Sequence, residues 1–352
     1  MEEGPIRHHT WKWVAACLAA AGALAWFLYA QLAARGFDWR LAGRSFAGLQ
    51  WGWLALSLIP IGATYGVRAL RWAIFLKPLK ARPSLRNLLS ATLIGFTAIT
   101  LFGRPGEFVR PYLIARKEDV PATSQFAAWL LERIFDLLMA LLVFAYALTR
   151  VEASGALVGS KFAWVLAVGG RIVGVASLGV LVLLLSFRHL AEPLQRKLAV
   201  FLRFLPEARF LQMEKLTKAF VQGVESTRSD AALLAVFLYS VLEWALIAAC
   251  YWCVAQAFSG FFILELADVV TFMGFVSFGA AIQIPGIGGG IQVVAAVVLT
   301  EIFGVRLETA TAFALLIWII TFVAVVPVGS ALTLKEGLDW HSLRRIGSEV
   351  AK

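Results

Sequence analysis

The chain has 352 residues, of which 60% are apolar and only 15% charged, with a mean hydropathy of +0.79 and a net charge of +10. Soluble domains carry about 25% charged residues, and apolar runs of about twenty residues recur here, so a soluble enzyme is excluded and an all-α polytopic membrane protein is expected. In such a protein the basic excess points to cytoplasmic loops and anionic headgroups rather than nucleic acid, for which no motif is present.

Arg7 and Lys12 precede an apolar run over 13–34. At about 20 residues that run is longer than a typical signal-peptide core, so it reads as an uncleaved first span. Further full spans are expected at 51–76, 124–149, 161–187, 230–258 and 308–334. Each can cross about 30 Å of hydrocarbon at roughly 1.5 Å per residue. Two other apolar regions read as short or broken. Residues 87–103 end at Gly103-Arg104-Pro105-Gly106, and 266–284 break at Pro285-Gly286 before 287–303 resume. Between the halves, 188–229 is polar. Leu190, Leu194, Leu198, Phe201 and Leu205 recur at helical spacing, as do Met213, Leu216, Phe220 and Val224. Two amphipathic helices on the inner membrane surface are expected there, as a lipid-surface connector or as a docking face for a lipid-modifying enzyme. Cys250 and Cys253 form a C-x-x-C inside an apolar run, where small apolar helix residues are the plainer reading than a redox pair.

Loop charge orients these spans. With both termini inside, segments 1–12, 77–90, 104–122, 188–229 and 335–352 hold 22 Lys and Arg, against 6 in 35–49, 150–161, 259–267 and 304–307. The positive-inside rule supports this orientation. It makes 87–118 leave and re-enter from the inside, and 266–303 from the outside. The expected architecture is therefore about six full spans plus two broken, re-entrant helical hairpins, in the pattern of inverted-topology repeats. The whole is read as a single membrane domain: first half 1–187, connector 188–229, second half 230–337, tail 338–352.

Three charged clusters interrupt the apolar sequence. GVRALRW carries Arg68 and Arg71; LFGRPGEFVR carries Arg104, Gly106, Glu107 and Arg110; WLLERIFDLL carries Glu132, Arg133 and Asp136. A charge at the bilayer centre costs about 2.5–3.5 kcal/mol, so eight unpaired ones would cost on the order of 20 kcal/mol, beyond ordinary folding stability. They are expected to pair, reach headgroups or face a wet groove. Arg68 and Arg71, near the inner end of their span, also fit interfacial anchors. Irregular backbone at Gly103–Gly106 survives at membrane depth only inside protein or beside water. The second break, IQIPGIGGGIQ, offers Pro285, Gly286, Gly289 and Gln292. It is either a helix-start anion site or a tight packing turn. No G-K-[ST] follows, so it is not a nucleotide loop.

R-A-L-R-W at 68–72, R-P-G-E-F-V-R at 104–110, E-R-I-F-D at 132–136 and P-G-I-G-G at 285–289, in that order, resemble the transmembrane-region family of lysylphosphatidylglycerol synthases, whose members are called flippase-like. The resemblance runs from about residue 10 to 337. It implies a bacterial inner-membrane protein, here a stand-alone member without the soluble synthase domain, that moves a lipid with a polar, anionic phospho- or aminoacyl headgroup across the bilayer. Arg104 and Arg110, with Arg68 and Arg71, would hold a phosphate. Glu107, Glu132 and Asp136 would position those arginines or bind a cationic headgroup. Members often carry Asn and Pro where this chain has Ala98 and Phe102, and Glu where it has Gln292. A neutral amide cannot carry a proton there. No cofactor or metal is expected, nor enzymatic activity, since no span contains His or a D-x-D pair. The rival readings are a membrane enzyme acting on a lipid or polyprenyl phosphate and a non-transporting partner of a lipid-modifying synthase.

Overall fold

The computed structural model describes residues 36–153, 175–176, 179, 229–279, 283–284 and 288–338. The expected span 13–34, almost all of 161–187, the connector before Ser229 and the tail beyond 338 lie outside the described residues. So do Pro285 and Gly286. Helices dominate the rest: α1 (Trp39–Ala47), α2 (Trp51–Leu76), α3 (Leu85–Phe102), a 3₁₀ turn (Arg104–Phe108), α4 (Val109–Glu118), α5 (Ala122–Ala153), α6 (Asp230–Ala257), α7 (Leu266–Gly279), α8 (Gly290–Glu301), α9 (Leu307–Trp318) and α10 (Val326–Lys335). Gln283–Ile284 pairs antiparallel with Gly288–Gly289 in a two-residue ladder that closes the turn between α7 and α8.

Among the described residues, five helical stretches are long and apolar enough to cross a membrane: 51–76, 85–102, 122–151, 230–257 and 307–335. Four were expected as full spans. The fifth, α3, was expected as the short segment 87–103; it is an unbroken helix of 18 residues, and it ends at Gly103, where the sequence put the break. Two shorter apolar helices, at 266–277 and 290–301, make the second hairpin. A correction concerns 35–49, expected to be loop. It contains α1, whose start is capped by Asp38 accepting from the Arg40 and Leu41 amides at 2.8 and 3.2 Å. Exposed Trp39 and Trp51 flank this amphipathic helix, as aromatic side chains do at a membrane surface.

Packing is reciprocal between the halves. The central pair, α2 and α6, runs antiparallel over its length: the Gln50 amide donates to the Ala257 carbonyl at 3.1 Å near one end, and Arg71 to Ser240 at 2.8 Å near the other. In the first hairpin α3 lies against the last span of the second half, where Thr97 and Thr100 donate to the Val325 and Phe322 carbonyls at 3.4 and 3.0 Å. In the second hairpin α7 lies against α5, the corresponding span of the first half, through the Phe144–Phe275 ring pair and Arg150–Asp268 at 3.8 Å. Both contacts are antiparallel, as the inverted-repeat pattern requires.

The last span is not a regular helix. Between α9 and α10 the residues Ile319–Val323 form a π turn, with the Ala324 amide donating to the Ile319 carbonyl at 2.9 Å. Pro327 follows and has no amide to give. Thr97 and Thr100 supply hydrogen bonds to carbonyls of this irregular stretch, which is how a broken helix survives in an apolar medium.

Among the described residues two large apolar cores result. One joins the second half of α2 to α3, α4 and the first half of α5, around Trp72, Phe75, Leu88, Ile94 and Leu131. The other joins the first half of α2 to α7, α8, α9 and the second half of α6, around Phe258, Phe272, Phe313 and Val298. The charged side chains of α2, α5 and α6 lie where one core gives way to the other.

Candidate functional site

Arg71 is the centre of that layer and is wholly buried. It donates to Glu132 at 2.6 Å, to Asp136 at 2.9 Å and to Ser240 at 2.8 Å, and lies 3.3 Å from Glu243. Glu132 and Asp136 both reach it because they are one turn apart on α5. Arg68, one turn before Arg71 on α2, pairs with Glu243 at 2.5 Å and lies over the Phe96 ring at 4.5 Å. Arg110 pairs with Glu132 and stacks 4.3 Å from the centre of Trp72, whose indole donates to Gln125 at 2.9 Å. Arg133 bridges back to Asp136 at 3.0 Å. The reading of Arg68 and Arg71 as interfacial anchors fails on burial. Their guanidinium groups point into the bundle and meet carboxylates there.

The tip of the first hairpin is built by glycine. Gly103 adopts φ 70°, ψ −146°, a conformation costly for any side chain. Gly106 lies so close to the Ala98 backbone that a Cβ would overlap it. Ala98, where members of the resembled family often have Asn, thus forms the floor for the turn. The 3₁₀ turn that follows aims Arg104 and Glu107 to the same side, 3.3 Å apart.

That side is a cavity of about 370 Å³. Its charged lining is Arg68, Arg104, Glu107, Arg133, Asp136 and Glu243. Its apolar lining includes Ile61, Ile247, Met273, Val276 and Ile291, which belong to or pack against the second core. Phe96 and Ile99 come from the first hairpin, Met273 and Ile291 from the second, Thr321 and Phe322 from the π turn. Five of the residues singled out in the sequence therefore line one space: Arg68, Arg104, Glu107, Arg133 and Asp136. Arg71, Arg110, Glu132 and Gly106 stand behind them as supports. Gly289 and Gln292 do not line it. The Gln292 side chain instead accepts from the Gly289 amide at 2.6 Å, next to φ 125° at Gly289, and holds the start of α8. Of the two readings left open for this break, the described residues fit the packing turn.

Sequence reasoning missed Glu243. Its signal was present, as the lone carboxylate within an apolar run of more than twenty residues. Its partners, Arg68 and Arg71, lie far away in the chain and are joined to it only by the α2–α6 pairing. Ser240, one turn earlier on α6, was missed for the same reason.

A family model described as lysylphosphatidylglycerol synthase TM region matches residues 13–329. No curated protein matches the chain, and no solved structure does.

Proposed function

Because this chain belongs to the lysylphosphatidylglycerol synthase TM region family, we propose that it is a lipid translocator, which carries a polar-headed phospholipid across the bacterial inner membrane without altering it chemically. The observation that supports this is a cavity lined by both charged and apolar side chains. A headgroup fits the charged lining of Arg68, Arg104, Glu107, Arg133, Asp136 and Glu243, and an acyl chain fits the apolar lining of Ile247, Met273 and Ile291. Such an amphiphilic space serves a molecule that is itself half polar. The two hairpins enter as re-entrant elements from opposite faces, and rocking of one half against the other alternates access to the cavity. The excess of Lys and Arg on the loops assigned to one face supports an orientation with both termini in the cytoplasm.

The test is lipid movement. In liposomes containing the purified protein, a labelled phospholipid reaches the far leaflet. Arg104→Ala and Glu107→Gln each slow it by about an order of magnitude, the loss of roughly 1.4 kcal/mol of headgroup stabilisation, at unchanged protein level. Equal rates for all three proteins would remove these residues from the path. No movement above protein-free liposomes, for any phospholipid tried, would remove the translocator reading.

A further inference from the structure

The two hairpins are tied down at opposite faces of the bundle. At the base of the first, near the end of α4, the Lys117 ammonium lies 2.6 Å from both carboxylate oxygens of Glu336, just past the end of α10. At the base of the second, in the first turn of α7, Asp268 lies 3.8 Å from Arg150, near the end of α5. Among the described residues, these two ion pairs join the base of a hairpin to the closing span of the opposite half. α5 and α10 each follow the hairpin of their own half, so the two pairs are counterparts under the inverted repeat. Their signs are exchanged: the hairpin supplies the cation in one and the anion in the other.

The two are not equally tight. Lys117 and Glu336 are 16% and 26% exposed, against 48% and 30% for Arg150 and Asp268. Lys117 also donates to the Ser90 hydroxyl at 2.6 Å, so Glu336 is fastened to both arms of its hairpin. Leu332 and Leu338, on either side of Glu336, pack against the core around Trp72. Asp268 uses its other oxygen to cap α7, accepting from the Glu265 amide at 3.0 Å. An exposed ion pair is screened and holds weakly, while a shielded one with a third partner holds better. The face carrying Lys117 is therefore fastened, and the face carrying Arg150 is slack.

α10 is built to let its end go. Gly329 lies so close to Thr97 and the Leu93 carbonyl that a Cβ would overlap them, which pins the middle of α10 to α3. Glu336 is seven residues further on, about 10 Å along a helix. Before the pinned point comes the π turn at Ile319–Val323, whose irregular backbone already takes hydrogen bonds from Thr97 and Thr100. The ion pair thus sits at the free end of a short lever, and parting it breaks none of the helix's own backbone bonds.

We infer that Lys117–Glu336 and Arg150–Asp268 are a pair of alternating latches, the first closed and the second loose in this conformation. The inference rests on reading the halves as rocking against each other around the cavity, and it names the contacts that are exchanged. Each half carries one hairpin and one closing span, at opposite faces. A rotation about the central α2–α6 pair that parts Lys117 from Glu336 brings Asp268 towards Arg150.

The experiment measures distances at both faces of the full-length protein in nanodiscs. Spin labels, introduced as unnatural amino acids that leave the native cysteines in place, report Arg86 to Lys335 on the fastened face and Thr149 to Ile263 on the slack one. All four positions are exposed. Lys117→Gln is expected to add a population at least about 5 Å longer on the first face, the scale of a one-turn displacement, and to shorten and narrow the distribution on the second. Lys117→Arg, and the exchanged pair Lys117→Glu with Glu336→Lys, restore the native distances at both faces, which separates loss of the latch from a folding defect. Unchanged distances on the first face in Lys117→Gln would overturn the inference. So would lengthening there with no response on the second face, since a merely local clasp behaves that way, or failure of the exchanged pair to restore the native distances. The liposome assay separates this from the translocator reading. Latches that exchange in a protein that moves no lipid would leave the inference standing and remove that reading, and lipid movement without coupled distances would do the reverse.

Discussion

The Arg71 guanidinium lies 3.3 Å from the Glu243 carboxylate, while its other ion pairs run to Glu132 and Asp136. One arginine of α2 therefore holds together α5 of its own half and α6 of the other. Arg71 does this between two apolar cores, where each ion would be costly alone and is tolerated only because the set is nearly complete.

Removing Arg71 leaves Glu132 and Glu243 buried with fewer counter-charges. Breaking a buried pair from one side costs about 3–5 kcal/mol. Arg71→Ala should accordingly lower the thermal unfolding temperature in detergent more than any single substitution of a cavity-facing arginine. A variant as stable as the native protein would show that the pairs contribute no net stability.

Arg68 and Glu243 should be energetically dependent on each other. At 2.5 Å, with Glu243 buried, their double-mutant cycle to Ala and Gln should give a coupling energy in the range of about 0.5–3 kcal/mol. Additive effects on stability would mean that the two do not interact in the folded protein.

At the hairpin tip, a methyl group at Gly106 would run into the Ala98 backbone, which cannot give way as a flexible side chain can. Gly106→Ala should displace the 3₁₀ turn and with it Arg104 and Glu107. Movement of the labelled phospholipid in liposomes should slow by at least as much as in Arg104→Ala. The helical content should be unchanged, since α3 and α4 hold their own backbone bonds. A native rate of lipid movement in this variant would show that the tip tolerates the shift.

The base of the same hairpin carries a pH-sensitive clamp outside the spans. Burial raises the affinity of the Glu118 carboxyl for its proton. Lys80 at 2.8 Å, Asn87 at 2.7 Å and the Ser84 amide at 3.2 Å outweigh that and hold its pKa below the ordinary value. A depressed folded-state value means that the stabilisation is present at neutral pH and lost as pH falls through that value. Thermal stability should decline below about pH 4.5, and Glu118→Gln should lower stability at pH 7 while flattening this decline. An acid profile identical in both proteins would exclude the clamp.

Much of this was legible in the chain itself, because a bilayer demands long apolar runs and makes every interruption conspicuous. The run 51–76 coincides with α2, and 230–258 with α6 to within a residue. Arg104, Glu107, Arg133 and Asp136 stood out as charges in apolar company, and all four reach the same cavity. What could not be read was partnership. Arg71 and Arg110 carry the same charge as Arg104, yet they are buried supports rather than cavity-facing groups. That difference depends on which way α2 and α4 turn against α5. α1 was hidden because its arginines resemble those of a polar loop, although Asp38 is a recognisable helix cap. Pro327 announces an irregularity in the last span, but the wide turn it follows is set by hydrogen bonds from Thr97 and Thr100, on a distant helix.

The most direct measurement is a cryo-electron-microscopy structure of the protein in nanodiscs containing phosphatidylglycerol. A phosphate within hydrogen-bonding reach of Arg104 or Arg133, with its acyl chain running past Met273 and Ile291, is the expected result. A cavity filled by the protein's own side chains, with lipids only around the outside of the bundle, would contradict it.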